Sequence, residues 1–473
     1  MDKRKYDQIR DCLRQLIKGT PFENKVFFVG GCCRDDLMGF EIKDIDMAVN
    51  LPSGGIRLAE WLKEQGHTTH GTVVYPVYQT AMFHLKAFPD DELEAVQTRK
   101  EKYNDHGCRN PETAFGTIQE DCMRRDLTIN ALYQNVSTGE FLDITGHGLN
   151  DIRDHVIRTP DDPDITYDDD PLRILRCIRF ASRYGWDIEQ ETWEGMVRNT
   201  SRLAIITKER VRDELCKMLS GPHPVMAMEL LRKSGAMHEV LPELETTFDM
   251  TQNDYHSGTV WEHTMQVLGN VAEKTDSLVL RLAALLHDIG KTVTREEGDG
   301  GSVHFLKHEL LGKEMVKDIM TRLKFPNADI EEVAFLTLHH MDCKPWGAKA
   351  EHMKDKRLRK LQHTCRTEQR FRDLTTLMHA DNMAHAEGHC MPGQVPAILR
   401  RTEEMLEDGT AMFGFKPWMS GNEVMQTKGL KPGKEVRECL DYLLKLAFVN
   451  PKMDKEEIVK HLRGYHIPKN KKE

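Results

Sequence analysis

The sequence predicts a mixed α/β first third joined to an all-α remainder. Three observations carry this. Up to about residue 150, short runs rich in β-branched and aromatic residues alternate with amphipathic segments. From about residue 169 a helical period continues almost to the end with few strand signals. The length of 473 residues suits about three domains.

In chain order, residues 5–18 read as an amphipathic helix. Ile9, Cys12, Leu13, Leu16 and Ile17 form its apolar stripe, and Gly19 can cap its end. Strands are expected at 25–30, 45–49, 78–85, 92–97 and 141–144, with helices near 54–65 and 119–134. Beyond them helices are expected at 172–184, 207–219, 225–234, 260–273 and 277–289. The Gly-rich stretch 298–302 and Pro345–Gly347 read as loops. No internal repeat or low-complexity tract is present.

Composition excludes several classes. Lys and Arg number 66 against 76 Asp and Glu, a net charge of −10, which argues against a protein that coats nucleic acid without selectivity and leaves room for local basic surfaces. The 11 cysteines include no CxxC pair, so they read as reduced thiols, with Cys32 and Cys33 as core filler. The N-terminus is charged at once, without an apolar leader, and no run of 18 apolar residues occurs. A cytoplasmic protein with no membrane partner is expected. The tail with Lys469, Lys471 and Lys472 is expected to fray.

Residues that carry phosphate chemistry cluster early. Gly30 and Gly31 lie between a strand and a helix, where the backbone can approach a triphosphate and free N–H groups face it, with Arg34 directed at the same phosphates. Asp44 and Asp46 flank Ile45 and project together from a strand, an arrangement that calls for a cation such as Mg²⁺. The alternative is a solvated turn with two acids. Glu94 is the candidate third carboxylate, with Asp91 and Glu92 close by. Asp126 and Asn130, four apart on the expected helix, suit a ribose hydroxyl or a cap, and Arg125 a phosphate. Arg173, Arg176 and Arg179 recur every three residues as a solvated face or a binding stripe; Asp170 and Arg173 together offer acceptors and a donor fork for a base edge.

The order GGCCRD, KDIDMAV, RRDLTINAL, DPLRILRCIRF and KERVRDEL over residues 30–215 resembles the class II CCA-adding tRNA nucleotidyltransferases, close relatives of bacterial poly(A) polymerases. The resemblance implies a polymerase-β-like nucleotidyltransferase head followed by an all-α neck and body. It implies Asp44 and Asp46 as catalytic Mg²⁺ ligands, Gly31 and Arg34 on the triphosphate, and Asp170 and Arg173 as the protein template that selects C or A. Arg125, Arg176 and Arg179 would contact nucleotide, and Glu209, Arg210 and Glu214 would brace the neck. Cys32-Cys33, Leu127 and Asp169 depart from the family pattern. The segment 99–120, with Arg99, Lys100 and Lys102, corresponds to a loop that helps the family switch from C to A addition. The implied partners are tRNA, CTP and ATP. Poly(A), CC-only or A-only addition stays open.

A second constellation joins His263, the pair His287–Asp288 and the distant Asp381. Imidazole and carboxylate together suit a divalent metal such as Mg, Mn, Ni or Fe. His304, His308, His339 and His340 offer ligands for a second ion. The set resembles the HD phosphohydrolases, which implies a phosphodiesterase or phosphatase; an HD hydrolase with an RNA-binding head is the reading from a different class. The basic stretch Lys354, Lys356, Arg357, Arg359, Lys360, Arg366, Arg370 and Arg372 is either a solvated face or a rail for the tRNA acceptor arm. Gly429–Val436 extends the resemblance. The expected division is 1–150 (head), 151–245 (neck and recognition), 246–400 (HD domain) and 401–473 (helical tail).

Overall fold

A computed structural model describes every residue except 70, 103–111, 253–254, 256–257, 299–301 and 468–473. The expected frayed tail lies outside the described residues, as do the middle of the 99–120 segment and the centre of the Gly-rich loop. The chain forms two compact units, Met1–Glu245 and Thr246–Glu473.

The first unit is built on a mixed sheet. Its strands are β1 (Val26–Val29), β2 (Ile45–Val49), β3 (Val73–Tyr75), β4 (Thr80–Leu85) and β5 (Phe88–Gln97). A separate hairpin of β6 (Arg99–Lys102) and β7 (Glu112–Phe115) follows, then β8 (Tyr133–Asn135) and β9 (Phe141–Leu142). The sheet order among the described residues is β3-β4-β5-β2-β1-β8-β9, and only β2 and β5 pair in parallel within it. That parallel pair sets Asp46 opposite Glu94.

Apolar side chains place the helices. Asp2 caps the helix Lys3–Ile17 by accepting from Lys5 N at 2.9 Å. Its Tyr6, Ile9, Leu13 and Ile17 are fully buried in one core with Phe28, Met47 and Val49 of the sheet and Leu58 and Leu62 of the helix Gly54–Glu64. A second cluster collects Phe27, Val29, Ala48, Cys122 and Tyr133. Cys32 and Cys33 are buried free thiols.

The expected helix 119–134 is broken. An α-helix runs only over Ile118–Met123; a 3₁₀ turn over Thr128–Asn130 and β8 follow. Asp126 accepts from its neighbour Leu127 N at 2.9 Å, and Leu127 is extended at φ −140°. Such local side-chain bonds compete with the helical ladder, and the apolar run Ala131–Tyr133 then leads into β8, which pairs with β1. Asp126 and Asn130 therefore do not share an α-helical face, although they still meet, Asn130 Nδ2 donating to Asp126 Oδ1 at 3.1 Å. The later helices Leu172–Tyr184, Lys208–Leu219 and Pro224–Ser234 match the expected helical segments closely, while Pro163–Asp169 and Gln190–Asn199 are helices that the period did not single out.

Among its described residues the second unit is mainly helical, with two short paired strands, Arg295–Glu297 and Val303–Phe305, and an isolated bridge between Thr251 and Thr259. Helices Val260–Ala272, Leu278–Leu286, Asn327–His339 and Glu368–Met383 pack together; Asn270 Nδ2 ties the first to Ala380 O at 2.9 Å. In the basic stretch Arg359 is buried and donates to the carbonyls of Thr410, Phe448 and Val449. Arg370 pairs with Glu332 and Arg372 with Glu368. Lys354, Lys356, Arg357, Lys360 and Arg366 stay exposed, so the stretch is part brace and part solvated face.

No helix among the described residues is long and apolar enough to cross a membrane. One close approach tests the core. A Cβ on Gly55 would stand 2.3 Å from the Ala95 carbonyl oxygen of β5. Gly55→Ala is expected to destabilise the first unit by about 1–3 kcal/mol, read as an earlier thermal transition with the second unit unchanged.

Candidate functional site

Asp44 stands just before β2 and Asp46 within it; both are exposed while Ile45 between them is buried. Glu94 comes alongside from β5. None of the three carboxylates forms an ion pair with a described residue. Crowding by the surrounding protein raises the pKa of Asp46, Arg125 opposes that, and Asp44 adds to it. Glu94 is raised by its partial burial and then by Asp46 and Glu92. Three neighbouring acids that repel one another, with Arg125 offsetting part of the effect and no described cation paired to them directly, fit a divalent cation.

Behind them runs a hydrogen-bonded chain. Arg34 is only 5% exposed. Its Nε donates to Asp35 at 2.8 Å, its Nη1 to Asn130 Oδ1, and its guanidinium lies over the Phe180 ring at 5.2 Å. Arg34 thus braces the glycine turn rather than presenting an open fork to phosphate. Arg176 closes the chain on Asp126 Oδ2 at 2.8 and 2.6 Å. Burial would push Asp126 up, but Arg176 and Asn130 bring it below the usual carboxylate range.

Arg125 lies against Gly30, whose Cβ would come within 3.2 Å of Nη1; only glycine, here at φ +74°, permits that turn. Its guanidinium is held by Asp121 and the Tyr133 hydroxyl, each at 3.2 Å. Asp121 and Tyr133 are buried partners that no sequence motif announced. Burial raises Asp121, yet Arg125, Arg124 and the Tyr133 hydroxyl hold it at about 2.

A cavity of about 880 Å³ opens beside this network, lined by Arg125, Asp126, Asp170, Arg173 and Arg176 among others. Asp170 lies between two helices and accepts from Arg210 at 2.8 Å. Arg173 donates to the carbonyls of Thr166 at 3.1 Å and Arg124 at 2.5 Å, with Asp169 4.0 Å away. Arg179 does not line this cavity; it is buried on Glu214, joining helices Leu172–Tyr184 and Lys208–Leu219.

The second unit gathers His263, His287, Asp288 and Asp381, all buried. His263 Nε2 is 3.2 Å from Asp381 Oδ1 and 3.6 Å from Asp288 Oδ2; His287 Nε2 is 3.2 Å from the same Asp288 oxygen. On the other side of that carboxylate, His308 and His340 approach Oδ1 at 3.3 and 3.7 Å. His304 and His339 do not join: His304 is exposed and His339 pairs with Asp342. The Nδ1 atoms of His263, His287, His308 and His340 face the carbonyls of Ala384, Ala284, Phe305 and Thr337. A carbonyl only accepts, so each Nδ1 carries the hydrogen and each Nε2 turns its lone pair inward. The Nε2 atoms of His308 and His340 are 3.3 Å apart. Converging acceptors of this kind fit two metal positions sharing Asp288, one with His263 and His287 and one with His308 and His340. Lys291 and Lys344, which the sequence reading did not single out, stand 2.7 Å from Asp288 and 2.9 Å from Asp381. Lys291 ends the run HDIGK; Lys344 carries no local signal.

Three family models match in the same order: "Poly A polymerase head domain" over residues 26–158, "Probable RNA and SrmB- binding site of polymerase A" over 185–248, and "HD domain" over 253–370. The chain is 30% identical to the CC-adding tRNA nucleotidyltransferase of Thermus thermophilus over 426 residues, 88% of each chain. This chain belongs to the class II CCA-adding tRNA nucleotidyltransferase and poly(A) polymerase family, with an HD domain. It is a tRNA nucleotidyltransferase. It is also 31% identical to the A-adding tRNA nucleotidyltransferase of Deinococcus radiodurans over 434 residues, 89% of this chain and 91% of that one. The fold resembles that of the Bacillus stearothermophilus CCA-adding enzyme in complex with CTP, with a TM-score of 0.67, 21% identity, and 98% and 97% of the two chains covered.

Two outcomes follow for a nucleotidyltransferase built this way. Asp121 sits below its unfolded value of about 3.9, so its stabilisation is present above pH 4 and fades as pH falls toward 2. Asp121→Asn should cost about 2 kcal/mol at neutral pH and flatten the acid limb of an unfolding curve, read by circular dichroism from pH 6 to pH 2. At the HD site, excess Mn²⁺ or Ni²⁺ should raise the melting temperature of the second unit by about 5 °C; Asp288→Ala should abolish the rise.

Proposed function

We propose that this nucleotidyltransferase adds C, C and A in turn to the 3′ end of tRNA, using CTP and ATP. The observation that supports it most is one unit carrying both the unpaired trio Asp44, Asp46 and Glu94 and a cavity lined by Asp170 and Arg173. The tRNA 3′-hydroxyl attacks the α-phosphate and pyrophosphate leaves. The three carboxylates would hold Mg²⁺, which would lower the pKa of the hydroxyl and offset charge on the phosphoryl oxygens. Asp170, steadied by Arg210, offers acceptor oxygens to the base edge. Arg173 is fixed by two carbonyls and keeps its remaining N–H groups for the same edge. Gly30 and Gly31 give the triphosphate close access to the backbone. Arg125 and Arg176 supply positive charge, and Arg34, Asp126 and Asn130 keep the floor rigid.

In this reading residues 1–150 catalyse, 151–245 read the nucleotide, 246–400 form the HD domain and 401–473 a helical tail. The HD cluster supports a second, metal-dependent phosphohydrolase activity, with Mg, Mn, Ni or Fe as the divalent ion. CC-only or A-only addition is the second reading, favoured by the relatives from Thermus thermophilus and Deinococcus radiodurans.

CTP and ATP offered separately and together with Mg²⁺ to tRNA lacking its CCA end decide between these. The expected outcome is C, C and A followed by arrest, and a loss of roughly a hundredfold or more in Asp46→Asn. Arrest after two C residues, acceptance of ATP alone onto tRNA ending in CC, or a long run of A would each replace the CCA reading.

A further inference from the structure

The mouth of the nucleotide cavity carries a feature that catalysis has not used. Between β3 and β4 the chain turns through Pro76, Val77, Tyr78 and Gln79. Val77 is 82% exposed and Tyr78 67%, and both line the cavity together with Arg99, Glu101 and Thr113 of the β6–β7 hairpin. A turn ordinarily carries Gly, Asn, Asp or Ser at such positions. Here an aliphatic and an aromatic side chain stand in water instead.

The backbone under them is fixed. Tyr78 N donates to Tyr75 O at 3.1 Å and Gln79 N to Pro76 O at 3.3 Å. Gln79 takes a left-handed φ of +53°, and its Nε2 donates to Pro76 O at 2.7 Å. Thr80 Oγ1 donates to Tyr78 O at 3.3 Å. The ring of Tyr78 is therefore presented from a held turn, at the rim of a cavity rich in arginine.

We propose that the Val77–Tyr78 turn is a shelf on which the 3′-terminal base of the RNA substrate stacks, so that Tyr78 aligns the attacking hydroxyl. The inference rests on the nucleotidyltransferase reading of this cavity and adds a subsite to it. Aromatic stacking accepts any base, because every base has a π-face. That suits the RNA end, whose terminal base changes after each addition. It does not suit the incoming nucleotide, which has to be discriminated by hydrogen bonds of the kind that Asp170 and Arg173 offer. Arg99 and Arg124 line the same cavity, both paired with Glu101, and would offer positive charge to a phosphate backbone leading to that base.

Steady-state kinetics on tRNA lacking its CCA end test the shelf. Tyr78→Ala should raise the KM for tRNA about tenfold, leaving the KM for CTP and the folded state unchanged, while Tyr78→Phe and Tyr78→Trp keep wild-type values. A second readout does not depend on turnover: 2-aminopurine at the 3′ end of an acceptor-stem hairpin should be quenched by wild type and by Tyr78→Phe, and not by Tyr78→Ala. A rise in the KM for CTP alone would move the shelf to the incoming nucleotide and overturn the proposal. Equal KM values and equal quenching in Tyr78→Ala would reduce the turn to solvated surface. Absence of nucleotide addition by wild type would sink the transferase reading, whereas the quenching experiment would still decide on the shelf.

Discussion

A largely buried chain of hydrogen bonds, Asp35–Arg34–Asn130–Asp126–Arg176, ties together the elements that flank the arginine-lined cavity of the first unit. It links the helix after the glycine turn, the 3₁₀ turn before β8 and the long helix Leu172–Tyr184. The two cations and two acids in it largely cancel, so burial is tolerated only while every member is present. Removing one would strand a charge away from water. Strand register places Asp46 beside Glu94, and the chain's bond to Arg176 fixes the long helix that carries Arg173 against the 3₁₀ turn.

The two centres meet the same electrostatic problem in different ways. Asp44 and Asp46 are exposed at a strand end, and Glu94 is half-buried beside them, so water shares the cost of their repulsion. Asp288 and Asp381 are buried, and Lys291 and Lys344 stand against them while four imidazoles turn lone pairs inward. The first arrangement suits a cation that arrives with a nucleotide. The second suits ions held by the protein itself.

Much of the fold was legible because amphipathic period and turn residues report directly on which side of an element faces the core. The helix over 172–184 and the strand over 45–49 show this. The expected helix over 119–134 failed because its period was apolar on both sides of Asp126, whose own side chain breaks the ladder. In the sequence Arg34 read as directed at phosphate, while Arg179 and Arg359 each read as part of either a solvated face or a binding surface. Each is buried on a partner distant in the chain: Asn130, Glu214 and the carbonyls near residue 448. A lone arginine carries no mark that separates a brace from a binding group.

The sequence by itself determined the order of the elements, the carboxylate pair Asp44 and Asp46, the run HDIGK and the family. These depend on spacing within one strand, one turn or one helix, where local geometry is set by the backbone. Only the tertiary structure decided that Glu94 rather than Asp91 or Glu92 stands beside Asp46, that His308 and His340 join Asp288 while His304 and His339 do not, and that Tyr78 meets the cavity lined by Asp170 and Arg173. Those facts come from pairings between segments far apart in the chain. Strand register and helix packing fix them, and no local pattern encodes either.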